Sequence, residues 1–291
     1  MKKVVKFGGS SLASAEQFRK VGNIIRADST RKYVVPSAPG KRFAGDAKVT
    51  DMLYKCYEMA EAGQDFSDQL AAIRTRYQEI IDGLELALSL EKEFVAIEQH
   101  FHDKAGVQYA ASRGEYLNGI IMARYLDFDF VDAAEGIVFG EDGMLDDAAT
   151  NQKLSDLLGD LEYAVIPGFY GASADGTVHT FSRGGSDITG SLVARATKAD
   201  LYENWTDVSG CLVTDPRVVE NPVPIDIITY KELRELSYMG ATVLHEDAIF
   251  PVRAAGIPIN IRNTNRPQDK GTMIVRDTCS RSEYTITGIA G

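Results

Sequence analysis

The chain has 291 residues, 44% apolar and 25% charged, a balance that excludes a disordered or fibrous protein and leaves room for one large α/β domain or two lobes. Its 31 basic and 42 acidic residues give a net charge of −11, which argues against nucleic acid or an anionic membrane as the main partner but not against a nucleotide, for which a local cluster of Lys and Arg suffices. Cys56, Cys211 and Cys279 show no metal-ligand spacing and read as free thiols, and no apolar signal core or membrane-length run is present, so a soluble cytoplasmic protein is expected.

Lys3–Phe7 is β-prone and runs directly into Gly8-Gly9-Ser10-Ser11, after which Leu12, Phe18, Val21, Ile24 and Ile25 mark one face of a helix. Strand, glycine loop and helix start together make a candidate anion cradle. Lys6, two residues before Gly8, is either a solvated strand-end lysine or a cation within reach of a phosphate in that loop. Tyr33–Val35 forms the next strand and ends in Pro36-Ser37-Ala38-Pro39-Gly40. Loops at the carboxyl ends of parallel strands are where open α/β sheets bind ligands. Ser37 and Thr50 are therefore candidate hydroxyl donors, or else turn and cap residues.

Thr50 to Leu126 reads as mostly helical. His100 and His102 lie two apart and share no helix face, which speaks against a metal site. Glu115, after Ser112-Arg113-Gly114, reads as a first-turn residue: a capping-box or dipole carboxylate, or the receiver of a substrate ammonium. Asp129–Asp132 and Gly136–Phe139 read as strands around a turn. Tyr163–Ile166 is a buried-type strand leading to the loop Pro167–Gly171. Leu201–Trp205 is a strand ending in Thr206-Asp207, and the single tryptophan is either core or the wall of a purine site, with core favoured. Helices over Tyr230–Met239 and Thr242–Ala255 and strands at Ile257–Ile261 and Thr272–Val275 complete an alternation that calls for a mainly parallel sheet covered on both faces.

The stretch Ser182-Arg183-Gly184-Gly185-Ser186-Asp187 lies between a β-prone run and a run of helix formers. Its glycines permit positive φ and close approach to a ligand, and Ser186 and Asp187 suit a helix start. Arg183 adds a fork suited to a carboxylate or phosphate. Asp187 puts a negative charge in the same turn, which suggests a site handling both an anion and a metal or ammonium; the alternative is a strand-to-helix turn capped by Ser186 or Asp187.

Taken in order, these loops resemble the amino acid kinase family, and within it the aspartate kinases. The resemblance rests on Lys6–Ser11, Ser37-Ala38, Ser112–Glu115, Arg183–Asp187, Trp205–Val208, Thr214–Arg217 and Gly240–His245. It implies a three-layer αβα sandwich over residues 1–280, with an amino-acid lobe to about residue 170 and a nucleotide lobe to about 280. It also implies phosphoryl transfer from ATP, carrying Mg²⁺ on its phosphates, to the β-carboxylate of L-aspartate, in a homodimer. Lys6 and the amides of Gly8, Gly9 and Ser10 would stabilise the moving phosphoryl group, and Asp187 would hold Lys6 or the substrate ammonium. Ser37, Thr50, Glu115 and Arg183 would bind aspartate. Thr206, Asp207, Asp215, Pro216, Arg217 and Thr242 would line the nucleotide site. Thr242 stands where the family commonly has Lys, and Glu246 where it usually has Pro. The alternating stretch 281–291 implies the first strand of a truncated regulatory, ACT-like module, so feedback inhibition by lysine or threonine is expected to be absent. The alternatives are a sibling kinase acting on glutamate, acetylglutamate or carbamate, and a non-catalytic amino-acid-binding regulator.

Overall fold

The computed structural model describes residues 1–182, 184–214, 218–220, 222–238, 244 and 246–277. An eight-stranded sheet forms its centre, built from β1 (Lys3–Phe7), β2 (Arg31–Pro36), β3 (Asp129–Phe130), β4 (Ala164–Val165), β7 (Leu201–Thr206), β8 (Ile227–Thr229), β9 (Ile259–Asn263) and β10 (Thr272–Val275). Their order is β3-β4-β2-β1-β7-β9-β10-β8. All neighbours are parallel except β9 and β10. The remaining strands, β5 (Tyr170–Ala172) and β6 (Val178–Thr180), form a separate antiparallel pair.

Residue alternation assigns the two faces of the sheet, because successive side chains point to opposite sides. Val5, Phe7, Val34, Val165 and Trp205 face one core. That core is closed by α1 (Ala15–Arg26), α2 (Val49–Glu61), α3 (Ser67–Gly83), α4 (Glu91–His102) and α5 (Val107–Leu126). Val4, Tyr33, Val35, Tyr202 and Ile259 face the other. Over them lie α6 (Ala133–Gly136), α7 (Asp147–Gly159), α8 (Gly185–Ala196), α9 (Tyr230–Tyr238) and α10 (Glu246–Ala255). The result is the expected three-layer αβα sandwich with a mainly parallel sheet. α1 illustrates how a local pattern becomes a layer. Ser14 caps its start by accepting from the Gln17 N–H, and Phe18, Val21, Ile24 and Ile25 bury its apolar face.

Several elements differ from the sequence reading. Gly136–Phe139 is not a strand: Asp132 caps the short helix α6 through the Ala134 N–H, and Val138 and Phe139 make only isolated bridges. β5 and β8 went unread, being three-residue strands too short to show a period. Trp205 belongs to the core: it is 1% exposed, stacks on Phe7 at 5.9 Å and donates Nε1–H to Glu203. His100 stacks on Tyr109 and His102 packs at a tilt on Phe66, so the two rings serve different neighbours. Among the described residues no helix is long and apolar enough to cross a membrane. Cys56 and Cys211 are buried free thiols. Cys279 and the stretch 281–291 lie outside the described residues, as do Met239 and Thr242 at the expected helix ends.

Candidate active site

The loops that follow β1, β2, β4, β7 and β9 lie at one edge of the sheet, tied by backbone hydrogen bonds that step from strand to strand. Gly8 N–H donates to Trp205 O, Ser37 N–H to Phe7 O, Gly168 N–H to Pro36 O and Thr264 N–H to Thr206 O. β1 stands between β2 on one side and β7 on the other. Chain connections therefore diverge beside it, the place where an open parallel sheet leaves a crevice.

Lys6 is buried rather than solvated, with 8% of its surface exposed. It shares a face with Val4, toward α8, and its register partner on β7 is Asn204. Asp187, in the first turn of α8, meets both: Lys6 Nζ lies 2.6 Å from Asp187 Oδ1, and Asn204 Nδ2 donates to the same oxygen at 2.8 Å. Tyr202 O–H donates to the Asp187 carbonyl at 3.2 Å. That contact requires Gly190, where a Cβ would lie 2.5 Å from the Tyr202 hydroxyl oxygen. The start of α8 depends on Gly184, which takes a left-handed φ of 59° as the N-cap with no side-chain cap. Ser186 and Asp187 are thus first-turn residues of α8, not caps. Gly168 has the same kind of role, since a Cβ there would lie 2.8 Å from the Ser186 Cα. Phe169 beside it holds φ at 82°, a strained value for a non-glycine residue that costs on the order of 1–3 kcal/mol. It is held there by its N–H to Thr189 Oγ1 and by the Phe181 N–H to its carbonyl.

Across the edge, a cavity of about 570 Å³ is lined by Gly9, Ser10, Ser37, Thr50, Glu115 and Asp207, with Lys41, Phe43 and Lys48 on its outer loop. Glu115 is not a first-turn residue. α5 begins at Val107 and runs on through Gly114, so the capping reading falls. The sequence signal misled because Gly114 looks like a breaker. It is there because a Cβ would press to 2.9 Å on Ala38 Cβ. Glu115 is 6% exposed, and among the described residues its Oε2 has no hydrogen-bond partner. Burial pushes its carboxyl up to about 8, against a weaker lowering by the Ala38 amide and by the charges of Arg113 and Lys6. A buried acid that pairs with no cation among the described residues, facing a polar cavity, is a ready receptor for an ammonium group. Thr50 is likewise no cap, since Lys48 holds the N-cap position of α2.

Gly9 and Gly40 bring the first two loops into backbone contact: Gly40 N–H donates to Gly9 O at 2.8 Å, and a Cβ on Gly40 would lie 2.6 Å from Gly9 C. Buried Arg76 braces the outer loop, donating to Gly40 O at 2.7 Å and Asp46 Oδ2 at 2.6 Å. Hydrogen bonds from Arg42, aided by Arg76, hold the Asp46 carboxyl well below the usual range. Gly40→Ala is expected to cost about 1–3 kcal/mol by forcing the two loops apart. Urea denaturation measures this, and a variant as stable as the parent would mean that the contact is slack.

Against known proteins, the model of the amino acid kinase family matches residues 1–263. The chain belongs to the amino acid kinase family. Aspartokinase 3 of Bacillus subtilis (strain 168) is 40% identical over 99% of this chain and 66% of its own length. The crystal structure of Clostridium acetobutylicum aspartate kinase superposes with a TM-score of 0.94 at 52% identity, covering 100% of this chain and 66% of that one. E. coli aspartokinase III, in complex with aspartate and ADP, gives a TM-score of 0.81 at 29% identity over 96% of this chain and 65% of its own. The chain therefore spans about two thirds of the length of these relatives.

Set within that family, the sequence-derived residues divide cleanly. Lys6 and Asp187 meet directly, and Gly9, Ser10, Ser37, Thr50, Glu115 and Asp207 share one cavity. Gly8 borders Lys6, whose Nζ would lie 3.8 Å from a Cβ there. Thr206 donates its hydroxyl to Asp207. Arg183, Asp215, Pro216, Arg217 and Thr242 lie outside the described residues. Asn204 and Asn118 were missed. Asn204 carried a weak signal as a polar residue in a buried-type strand, and Asn118 carried one as an amide three residues after Glu115 on an apolar helix. Among the described residues no group of three or more His, Cys, Asp or Glu is arranged to hold a metal ion.

Proposed function

We propose that this chain transfers the γ-phosphoryl group of ATP to the β-carboxylate of L-aspartate, giving 4-phospho-L-aspartate and ADP. A carboxylate oxygen attacks the γ-phosphorus, the bond to the ADP oxygen breaks, and no proton needs to move because the nucleophile is already ionised at neutral pH. Such a transfer asks the protein for positioning and charge neutralisation. The observation that carries the reading is Glu115: a buried acid whose Oε2 is unpartnered among the described residues, sharing a cavity with the hydroxyl residues Ser37 and Thr50. In its ionised form it takes the α-ammonium, leaving the substrate carboxylates to the hydroxyls and to Arg183. Lys6, oriented by Asp187 and Asn204, and the amides of Gly8, Gly9 and Ser10 stabilise the charge that builds on the phosphoryl oxygens.

Thr206, Asp207, Asp215, Pro216, Arg217 and Thr242 serve the nucleotide in this reading. Mg²⁺ arrives on the ATP phosphates and offsets their charge. Asp207, an exposed carboxylate of the cavity lining, would suit it, since Mg²⁺ takes one or two carboxylates beside phosphate oxygens and waters. The amino-acid residues come from elements before residue 170, except Arg183, and the nucleotide residues from elements after it. This supports two lobes on one sheet. The reading includes a homodimer, which light scattering measures.

ADP release with Mg-ATP and a panel of L-aspartate, L-glutamate, N-acetylglutamate and carbamate tests the assignment. Turnover is expected with aspartate, with the acyl phosphate trapped by hydroxylamine. Turnover with another acid instead would reassign the substrate. Aspartate binding without ADP release would make the chain a regulator.

A further inference from the structure

We propose that Asn118 is a positioning residue of the amino-acid site, holding the Ser37–Ala38 peptide in the orientation that presents the Ser37 hydroxyl to the substrate carboxylate. The inference rests on the phosphotransfer reading above. Asn118 is completely buried, and its Nδ2 donates to Ser37 O at 2.6 Å. The N–H of the same peptide, on Ala38, is directed toward the Glu115 carboxylate and lowers its pKa against the larger effect of burial. In a trans peptide the C=O and N–H point in opposite directions. One helix therefore faces both edges of a single peptide plane, holding its carbonyl through Asn118 and turning Glu115 toward its N–H, with residues three apart that share a face of α5. Ser37 lines the cavity, so rotation of that plane would swing its side chain and remove the Ala38 N–H from Glu115 together.

The surroundings make the grip stiff. Tyr77 O–H donates to Gly114 O at 2.6 Å, fixing α5 at this turn, and Gly114 admits Ala38 against the helix. Ser37 N–H is tied to Phe7 O, so the chain entering the peptide is fixed as well. Among the described residues Asn118 Oδ1 has no hydrogen-bond partner. An unpaired buried acceptor is a cost to folding, which a residue kept only for stability would avoid. The donor half of the amide is the half in use.

A double-mutant cycle in the whole chain tests this, with kinetics and thermal denaturation read on the same samples. Asn118→Asp keeps the shape and removes both N–H donors. It is expected to raise the KM for L-aspartate about tenfold or more, as a displaced binding group does, while the KM for Mg-ATP stays within twofold. In a Ser37→Ala background the same substitution should add less than threefold, because the group it positions is gone. Asn118→Ala provides the same comparison should the aspartate variant not fold. Fully additive effects, or an active parent whose variants keep its KM and lose only melting temperature, would overturn the inference and leave Asn118 a structural residue. A parent that releases no ADP with aspartate would remove the reaction and this inference with it. An active parent with unshifted variants removes the inference alone.

Discussion

Lys6→Met is expected to fold and to lose about a hundredfold or more in kcat, the usual cost of removing a charge that stabilises the transition state. Methionine keeps the length and the apolar stem, so the wall beneath the glycine loop stays filled. Asp187 loses its cation but keeps the Asn204 amide and its own carbonyl bond from Tyr202. Its side chain is 17% exposed, so the loss of stability should fall short of the roughly 3–5 kcal/mol seen when a fully buried pair is broken. ADP release measured beside the melting temperature separates the two effects. A variant within threefold of the parent would exclude Lys6 from the mechanism.

Glu115→Gln is expected to do two opposite things: stabilise the free protein at pH 8 and lower aspartate-dependent kcat/KM by about a hundredfold, as loss of a desolvated charge pair does. Burial raises the carboxyl from 4.5 to about 8. Between those values the folded protein holds a proton that the unfolded chain has released, so stability falls as pH rises through this window and levels off above it. Full conversion of the shift gives about 5 kcal/mol as an upper bound, which relaxation and entering water reduce. Glutamine carries no charge at any pH, so its advantage in melting temperature should grow from pH 5 to pH 8. Substrate ammonium favours the ionised form. At pH 7 aspartate binding to the parent should therefore release a proton, seen as a dependence of the calorimetric heat on buffer ionisation. No release, with an unchanged KM in the variant, would mean that the ammonium binds elsewhere.

Legibility differed from one residue to the next for physical reasons. Gly8, Gly9, Ser37 and Thr206 were readable as candidates because each lies at, or within two residues of, the end of a β-branched or aromatic run, and the ends of parallel strands collect ligands. Glu115 was picked out as a candidate but misplaced in its helix. Ser112-Arg113-Gly114 has the look of a cap, and only the packing of Ala38 on Gly114 explains why the helix continues through it. Asn118 carried only a weak signal because its partner, the Ser37 carbonyl, lies across the chain on another element. Asn204 was hidden for a related reason: its importance depends on lying in register with Lys6.

By itself the sequence determined the α/β class, the positions of most central strands, the glycine turns and the chemical inventory at the strand ends. These follow from short-range effects: side-chain periodicity, the conformational freedom of glycine and the starting preferences of helices. Only the tertiary structure decided which groups meet. It set Lys6 against Asp187 and Asn204, placed Glu115 out of water beside Ser37 and Thr50, and made Trp205 core. Those pairings depend on strand register and on how closely α5 and α8 approach the sheet. Both are settled by burial between distant segments, which no local pattern encodes.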